Sequence, residues 1–463
     1  MKKRIAILIA AIMLASVLPC YAAQVKFGNA GVHDPSVLYD DGTYYVYGSH
    51  MQAARSSDLQ DWKLFSKLDK CTLQPNYAVE FKEALTYAQT GTFWAPDVIR
   101  LADGRYYMYY CCCEGSKPLA ALGLAVSDSP EGPFENVGIL LTSGDAGYDA
   151  TKYPNAIDPC VFFDRDGERL WMVYGSYSGG IFLLELDPAT GLILEGQEPC
   201  GVRLLGGNHA RIEAPYIVYN PDTDYYYLFL SFGGLGVNDG YNIRVCRSRD
   251  VTGPYEDAQG HDMRDCMCKP GNFWNDDDVA PYGVKLLGGY QFTPLDGENS
   301  AKAQIVRSPG HNSAIMADDG WYIIHHTRFA PNGDRYIVQT RRMVFNDYGW
   351  PVVAPTRFVR ADALPAGVEP ALDGVFKLVF HGQDTNLVEH TSVAAEFHPD
   401  GMVTGGATGR FEAGEALVLT LDGVEYHGFT DIGYDQDQDA FVTTFAAMSE
   451  DGYSVWGVRA TVD

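Results

Sequence analysis

The 463-residue chain is 46% hydrophobic, carries 30 Tyr, 22 Phe and 49 Gly, and has a formal net charge of -26 at pH 7. That apolar content supplies the core of one large or two medium domains and excludes a disordered chain. The charge repels nucleic acid and anionic membrane surfaces, so neither is expected as a partner, and it suits a neutral or cationic ligand.

In chain order, the first segment, "MKKRIAILIAAIMLASVLPCYAAQ", has Lys2, Lys3 and Arg4 ahead of an apolar run over 5–18, then Cys20-Tyr21-Ala22. The pattern predicts a cleaved signal peptide over 1–22 and a secreted or periplasmic protein, expected to be a monomer. Cys20 after an apolar run also admits a lipoprotein signal, which Pro19 disfavours. No later run is long and apolar enough to span a bilayer, so no membrane association is expected in the mature form. Removing Cys20 from the 10 cysteines leaves an odd number, which excludes a complete disulfide framework without a free thiol or an intermolecular bond. Cys111, Cys112 and Cys113 are expected on one strand as small core residues facing alternately to its two sides. Cys266 and Cys268, with His261 nearby, fit no zinc spacing well and are expected as loop thiols or one local bridge.

One pattern recurs from residue 33 onward: "HDPSVLYDDGTYYVYGS" at 33, "APDVIRLADGRYYMYYC" at 95, "IDPCVFFDRDGERLWMVYGS" at 157, "EAPYIVYNPDTDYYYLFLSF" at 213 and "HNSAIMADDGWYIIHHT" at 311. Each copy is a short apolar strand, a polar turn and an aromatic strand, which reads as a β-hairpin. Intervals of roughly 55 to 65 residues, with a longer one before the last copy, point to a radial array. The expected fold is all-β: a five-bladed β-propeller over 23–360. The first strand of each blade would line the central channel, bringing the residues that precede those strands to one mouth. Asp34, Asp158, Glu213 and His311 share that position. Asp97 is offset, after Ala95-Pro96, and is read as structural.

Several carboxylates facing one another across a cleft suit glycoside hydrolysis, in which one acid protonates the leaving oxygen and another activates water. Their proximity raises the pKa of some, keeping one protonated near neutrality. Metal-assisted hydrolysis would require more His and closer ligand spacing.

In order, "HDPSVL", "WAPDV", "NAIDP", "IEAPYIV", "PGHNS" and "RRMVFNDYGWPV" resemble the five-bladed propeller enzymes of glycoside hydrolase family 43, and within it the endo-α-1,5-L-arabinanases, over about residues 25 to 360. The resemblance implies inverting hydrolysis of pectic arabinan with Asp34 as general base, Asp158 tuning and orienting the acid, and Glu213 as general acid. It implies that His311 contacts a Ca²⁺ ion in the channel, directly or through water. It places Gly123, Asn155, Ser176 and Tyr177 along the substrate site. Phe93 and Trp94, just ahead of Ala95-Pro96-Asp97, are candidates for an aromatic floor under the sugar, against a core-packing role. An exo-acting α-L-arabinofuranosidase or β-xylosidase on the same scaffold stays open, because the loops from 69 and 257 are long and rim loops decide how many subsites are open. A silent glycan-binding propeller is the remaining alternative.

After a linker over 361–373, short alternating segments from "GVFKLVFHG" onward predict a small all-β barrel or sandwich over 374–463. It resembles the C-terminal β-barrel attached to some family 43 arabinanases, and either glycan binding or a buttressing role is open for it.

Overall fold

The computed structural model describes residues 25–462 apart from 145, 331 and 415; the signal-peptide segment lies outside the described residues. Four four-stranded antiparallel sheets and one six-stranded sheet form five blades, and eight further strands close a barrel. The blades begin at Ser36–Asp40, Trp94–Arg100, Cys160–Phe163, Ile212–Asn220 and Ile305–Ala317. These first strands touch one another in succession, and the fifth touches the first, so they line a closed ring.

The hairpins follow from local chemistry. In blade 1, Asp40 pairs with Thr43 across Asp41 and Gly42, both with positive φ, as a two-residue turn requires when it matches strand twist. The second strand of blade 2, Tyr106–Cys113, is buried along its whole length because blades pack on both faces. Tyr106, Met108, Tyr110 and Cys112 join the core shared with blade 1, while Tyr107, Tyr109, Cys111 and Cys113 join that shared with blade 3. The consecutive cysteines are alternating core residues, as the strand period demands. All nine described cysteines are free, and Cys266 and Cys268 are buried in the core between blades 3 and 4.

The strands Gly374–Phe380 to Ser454–Arg459 close an eight-stranded barrel, which excludes the sandwich. Its interior is filled by side chains including Phe376, Phe397 and Phe445, whose rings lie 4.8 to 5.7 Å apart. The barrel is not a separate bead. Val379, Met448 and Trp456 share one core with blades 4 and 5, and Trp456 packs edge-on against Tyr290 at 5.1 Å. Between its first two strands, the chain returns to the propeller, where His390–Thr391 pairs in parallel with Tyr290–Gln291 and gives blade 5 its sixth strand. Arg244, fully buried in blade 4, donates to the carbonyls of Gln383 and Asp384 at 2.6 and 3.1 Å. Lys377 of the barrel bonds Glu298 of the propeller at 3.0 Å and Asp435 at 3.3 Å, with the Lys377 and Glu298 side chains essentially inaccessible to solvent.

Candidate active site

One residue near the mouth is forced into the same backbone region in four blades: Asp34 and Asp158 ahead of the first strand, Ala214 early in it and His311 at its middle have φ of 57, 56, 55 and 46°. Non-glycine residues held there carry strain that the surrounding structure must sustain, and such strain gathers at functional sites. In blades 4 and 5 the pairing register also shifts at these positions, between Glu213 and Tyr216 and on either side of Gly310. The bulges re-aim the Glu213 and His311 side chains from blade faces toward the channel.

Asp34, Asp158 and Glu213 are each more than nine-tenths buried. Asp34 accepts from Ser49 Oγ and from His33 Nδ1 at 2.6 Å, and its other oxygen faces His311 Nδ1 at 3.1 Å. Burial pushes this carboxyl up, but the His33 and His311 rings outweigh burial and hold it well below the usual carboxylate range. Glu213 accepts from Tyr241 Oη at 2.7 Å and Ser176 Oγ at 2.9 Å. Burial raises its pKa against the opposing pull of Tyr241, His311 and Ser176. Asp158 accepts from the Ala214 amide at 3.2 Å, and burial followed by repulsion from Glu213 and Asp34 raises it further still. One mouth therefore holds a carboxyl whose pKa is depressed beside two whose pKa is raised, the separation that acid and base catalysis needs. His311 has its pKa pushed up to about 9: burial lowers it, and Asp34, Asp158 and Glu213 more than compensate.

Asp97 is a tie between blades. It accepts from Ser36 Oγ of blade 1 and from the Val161 amide of blade 3 at 2.6 Å. Phe93 is a core residue, 1% exposed and edge-on to Phe81 at 5.1 Å, so the aromatic-floor expectation is corrected for it. The chain turns inward at Phe93, whose carbonyl accepts from the His50 amide. Trp94 is half-buried, with its ring beneath Gly115. Gly123 does not line the mouth either. It sits mid-strand, where a Cβ would come within 2.5 Å of the Tyr110 ring and 2.7 Å of the Gly138 carbonyl, so its lack of a side chain admits Tyr110. Asn155 spends its side chain on blade 2, accepting from Ser143 Oγ at 2.8 Å, and fixes the approach to Asp158. Tyr177 donates to the Gly233 carbonyl at 2.8 Å beside Glu213.

Four further residues complete the site: Tyr241 and Arg328 lie outside the quoted hairpins, and His33 and His326 lie inside them at positions the repeat does not mark. Tyr241 links the two sides, its hydroxyl on Glu213 and its ring parallel to His326 at 6.0 Å. His33 and His326 stack at 4.2 Å, and Arg328 reaches Nε2 of both, at 2.9 and 3.0 Å. A guanidinium only donates, so His33 accepts at Nε2 and must carry its proton on Nδ1, which it gives to Asp34. Arg328 thus orients the carboxylate through His33. Arg328→Met is expected to lower kcat about 100-fold, the cost of a misplaced catalytic group, with KM little changed; steady-state kinetics on wild type and variant checks this.

Nitrogen and oxygen atoms of His33, Asp34 and His326 lie within 4.8 Å of one another, close enough for a shared metal. The cationic Arg328 on both rings opposes a metal there. His311 is the better candidate: its Nδ1 is on Asp34, and its Nε2 has no protein partner among the described residues. A histidine that gives one N–H to a carboxylate and offers its other nitrogen is the arrangement that metal-binding histidines adopt.

A closed five-bladed ring with a divided acid and base at its mouth defines the class as a carbohydrate-cleaving hydrolase. The sequence profile of glycosyl hydrolases family 43 matches residues 27–277, and that of a C-terminal lipocalin-like domain matches 361–457. The extracellular endo-alpha-(1->5)-L-arabinanase 2 of Bacillus subtilis is 44% identical over 97% of this chain and 98% of its own. The crystal structure of an endo-1,5-alpha-L-arabinanase from Thermotoga petrophila superposes with a TM-score of 0.85 at 40% identity, covering 94% of this chain and 99% of that one. An extracellular exo-alpha-(1->5)-L-arabinofuranosidase of Cellvibrio japonicus is 28% identical over 74% of this chain and 90% of its own. The chain belongs to glycosyl hydrolases family 43.

Proposed function

We propose that this protein is an exported endo-α-1,5-L-arabinanase that cleaves internal linkages of arabinan with inversion. The observation that carries the reading is the opposed settings of Asp34 and Glu213 across one channel mouth, one held ionised by two histidines and the other raised by burial. Water attacks the anomeric carbon from the side of Asp34, which takes the water's proton. The bond from that carbon to the glycosidic oxygen breaks, and Glu213 gives its proton to the departing oxygen. Asp158 lies next to Glu213, and the two carboxyls repel in their charged forms, so ionisation of one resists ionisation of the other. The likeness to two endo-acting relatives over nearly the whole chain, barrel included, favours endo over exo action.

The pH dependence follows from the signs. Asp34 must be ionised, so the rate falls on acidification through its depressed pKa; Glu213 must be protonated, so the rate falls on alkalinisation through its raised pKa. A bell-shaped kcat/KM profile with a broad plateau is expected, and a flat profile from about pH 4 to 9 contradicts the pairing.

His311, with Asp34 behind it, would hold a Ca²⁺ ion, whose bound form would add fixed positive charge among the acids. Stripping metal with a chelator is expected to lower Tm, and adding Ca²⁺ back to restore it; an unchanged melting curve before and after verified removal contradicts the site. The reading as a whole is tested by reducing ends released from linear α-1,5-arabinan and from xylan. Release from arabinan alone supports it, and release from xylan alone replaces it with a xylosidase.

A further inference from the structure

The segment over 257–283, ahead of the last strand of blade 4, carries two aromatic side chains that the fold leaves uncovered, Phe273 and Trp274, at 43 and 51% exposure. Leaving two large rings in water costs stability, and adjacent exposed rings mark a binding surface. Trp274 is held in place all the same. Its backbone is in the left-handed region at φ 64°, and its ring stacks on His209 at 4.7 Å and 25° and meets Tyr177 edge-on at 6.2 Å. His209 itself has Nδ1 buried with no partner.

The position of this platform relative to the acids gives it a role. Tyr177 follows Ser176, which donates to Glu213. Asp276, two residues after Trp274, is clamped by Arg211, two residues before Glu213, with Nε to Oδ1 at 2.9 Å. The rings are therefore tied to the strand that carries the proton donor, whereas the groups around Asp34 belong to blades 1 and 5. A general acid protonates the leaving group, so an aromatic surface on its side faces the departing part of the chain.

We propose that Trp274, with Phe273, is a stacking subsite for an α-1,5-linked arabinofuranose unit on the leaving-group side of the cleavage point. The inference rests on the arabinanase reading and adds to it how the polymer is held. Thr385 of the segment between barrel strands donates to the Asp276 carbonyl at 3.4 Å, so the C-terminal domain braces the same loop.

The test is kcat/KM of Trp274→Ala and Trp274→Phe on arabino-oligosaccharides of increasing length, with thermal melts of both. Trp274→Ala is expected to lose about tenfold or more on the hexamer relative to its loss on the trimer. Trp274→Phe, which keeps a ring, is expected to recover most of that length dependence. Equal rates for Trp274→Ala and wild type at every length overturn the subsite while leaving the functional reading intact. An equal loss at every length also overturns it, because the residue then acts on the acid and not on a distant sugar. Wild type without activity on any arabino-oligosaccharide overturns the functional reading, and the ligand assigned to the platform with it.

Discussion

Glu213→Gln is expected to lower kcat on arabinan about 1000-fold, within the range that a positioned general acid supplies. The amide keeps the volume and still accepts a hydrogen bond from Tyr241 or Ser176, so the melting temperature should move little. It has no acidic proton to give the glycosidic oxygen. The deficit should therefore shrink on aryl arabinofuranosides whose leaving phenols depart without protonation. Parallel kinetics on the polymer and on a nitrophenyl substrate separate this from a structural role: equal deficits on both substrates contradict an acid at 213.

Lys377→Met is expected to cost about 3–5 kcal/mol of stability, read as a shifted urea midpoint at pH 7. The methionine fills the same space, but Glu298 and Asp435 lose the cation between them. Burial pushes Glu298 up, and the Thr461 and Leu295 amides together with Lys377 overcome burial and depress its pKa. A depressed carboxylate stabilises the fold above its unfolded pKa, and that stability is lost as pH falls through the folded value. In the variant Glu298 loses its cation, keeps only the Thr461 and Leu295 donors, and protonates more readily, so the gap between variant and wild type should narrow on acidification. A loss below about 1 kcal/mol would show that the barrel is not braced through this charge. The barrel interior is packed with side chains including Phe376, Phe397 and Phe445, and Trp456 of its last strand lies in the core shared with blades 4 and 5.

The hairpin repeat made the ring and much of its mouth legible, because one residue position recurs in four of the five blades and closure makes recurrence equivalent to proximity. Asp34, Asp158, Glu213 and His311 lie together for that reason. Tyr241 and Arg328 carry no such signal. Tyr241 follows a non-repeating loop, and Arg328 lies just past the end of the last repeat copy, two residues beyond His326, which pairs with Gly310 next to His311. Phe93 is undecided in sequence for a related reason: beside Ala-Pro-Asp an aromatic ring is equally suited to cleft or core, and its packing against Phe81 decides for the core. Gly123 shows the reverse, a glycine explained by the Tyr110 ring against it and not by a ligand. The return of residues 390–391 to blade 5 is invisible in sequence, since two residues make no periodic pattern.

The most direct test of an endo-acting arabinanase is the time course of product lengths released from debranched linear arabinan, with Glu213→Gln as control. Mid-sized oligomers appearing first and shortening with time, and almost none from the variant, are predicted. Arabinose alone from the first time point would contradict an open cleft and place the protein among exo-acting enzymes of the same family.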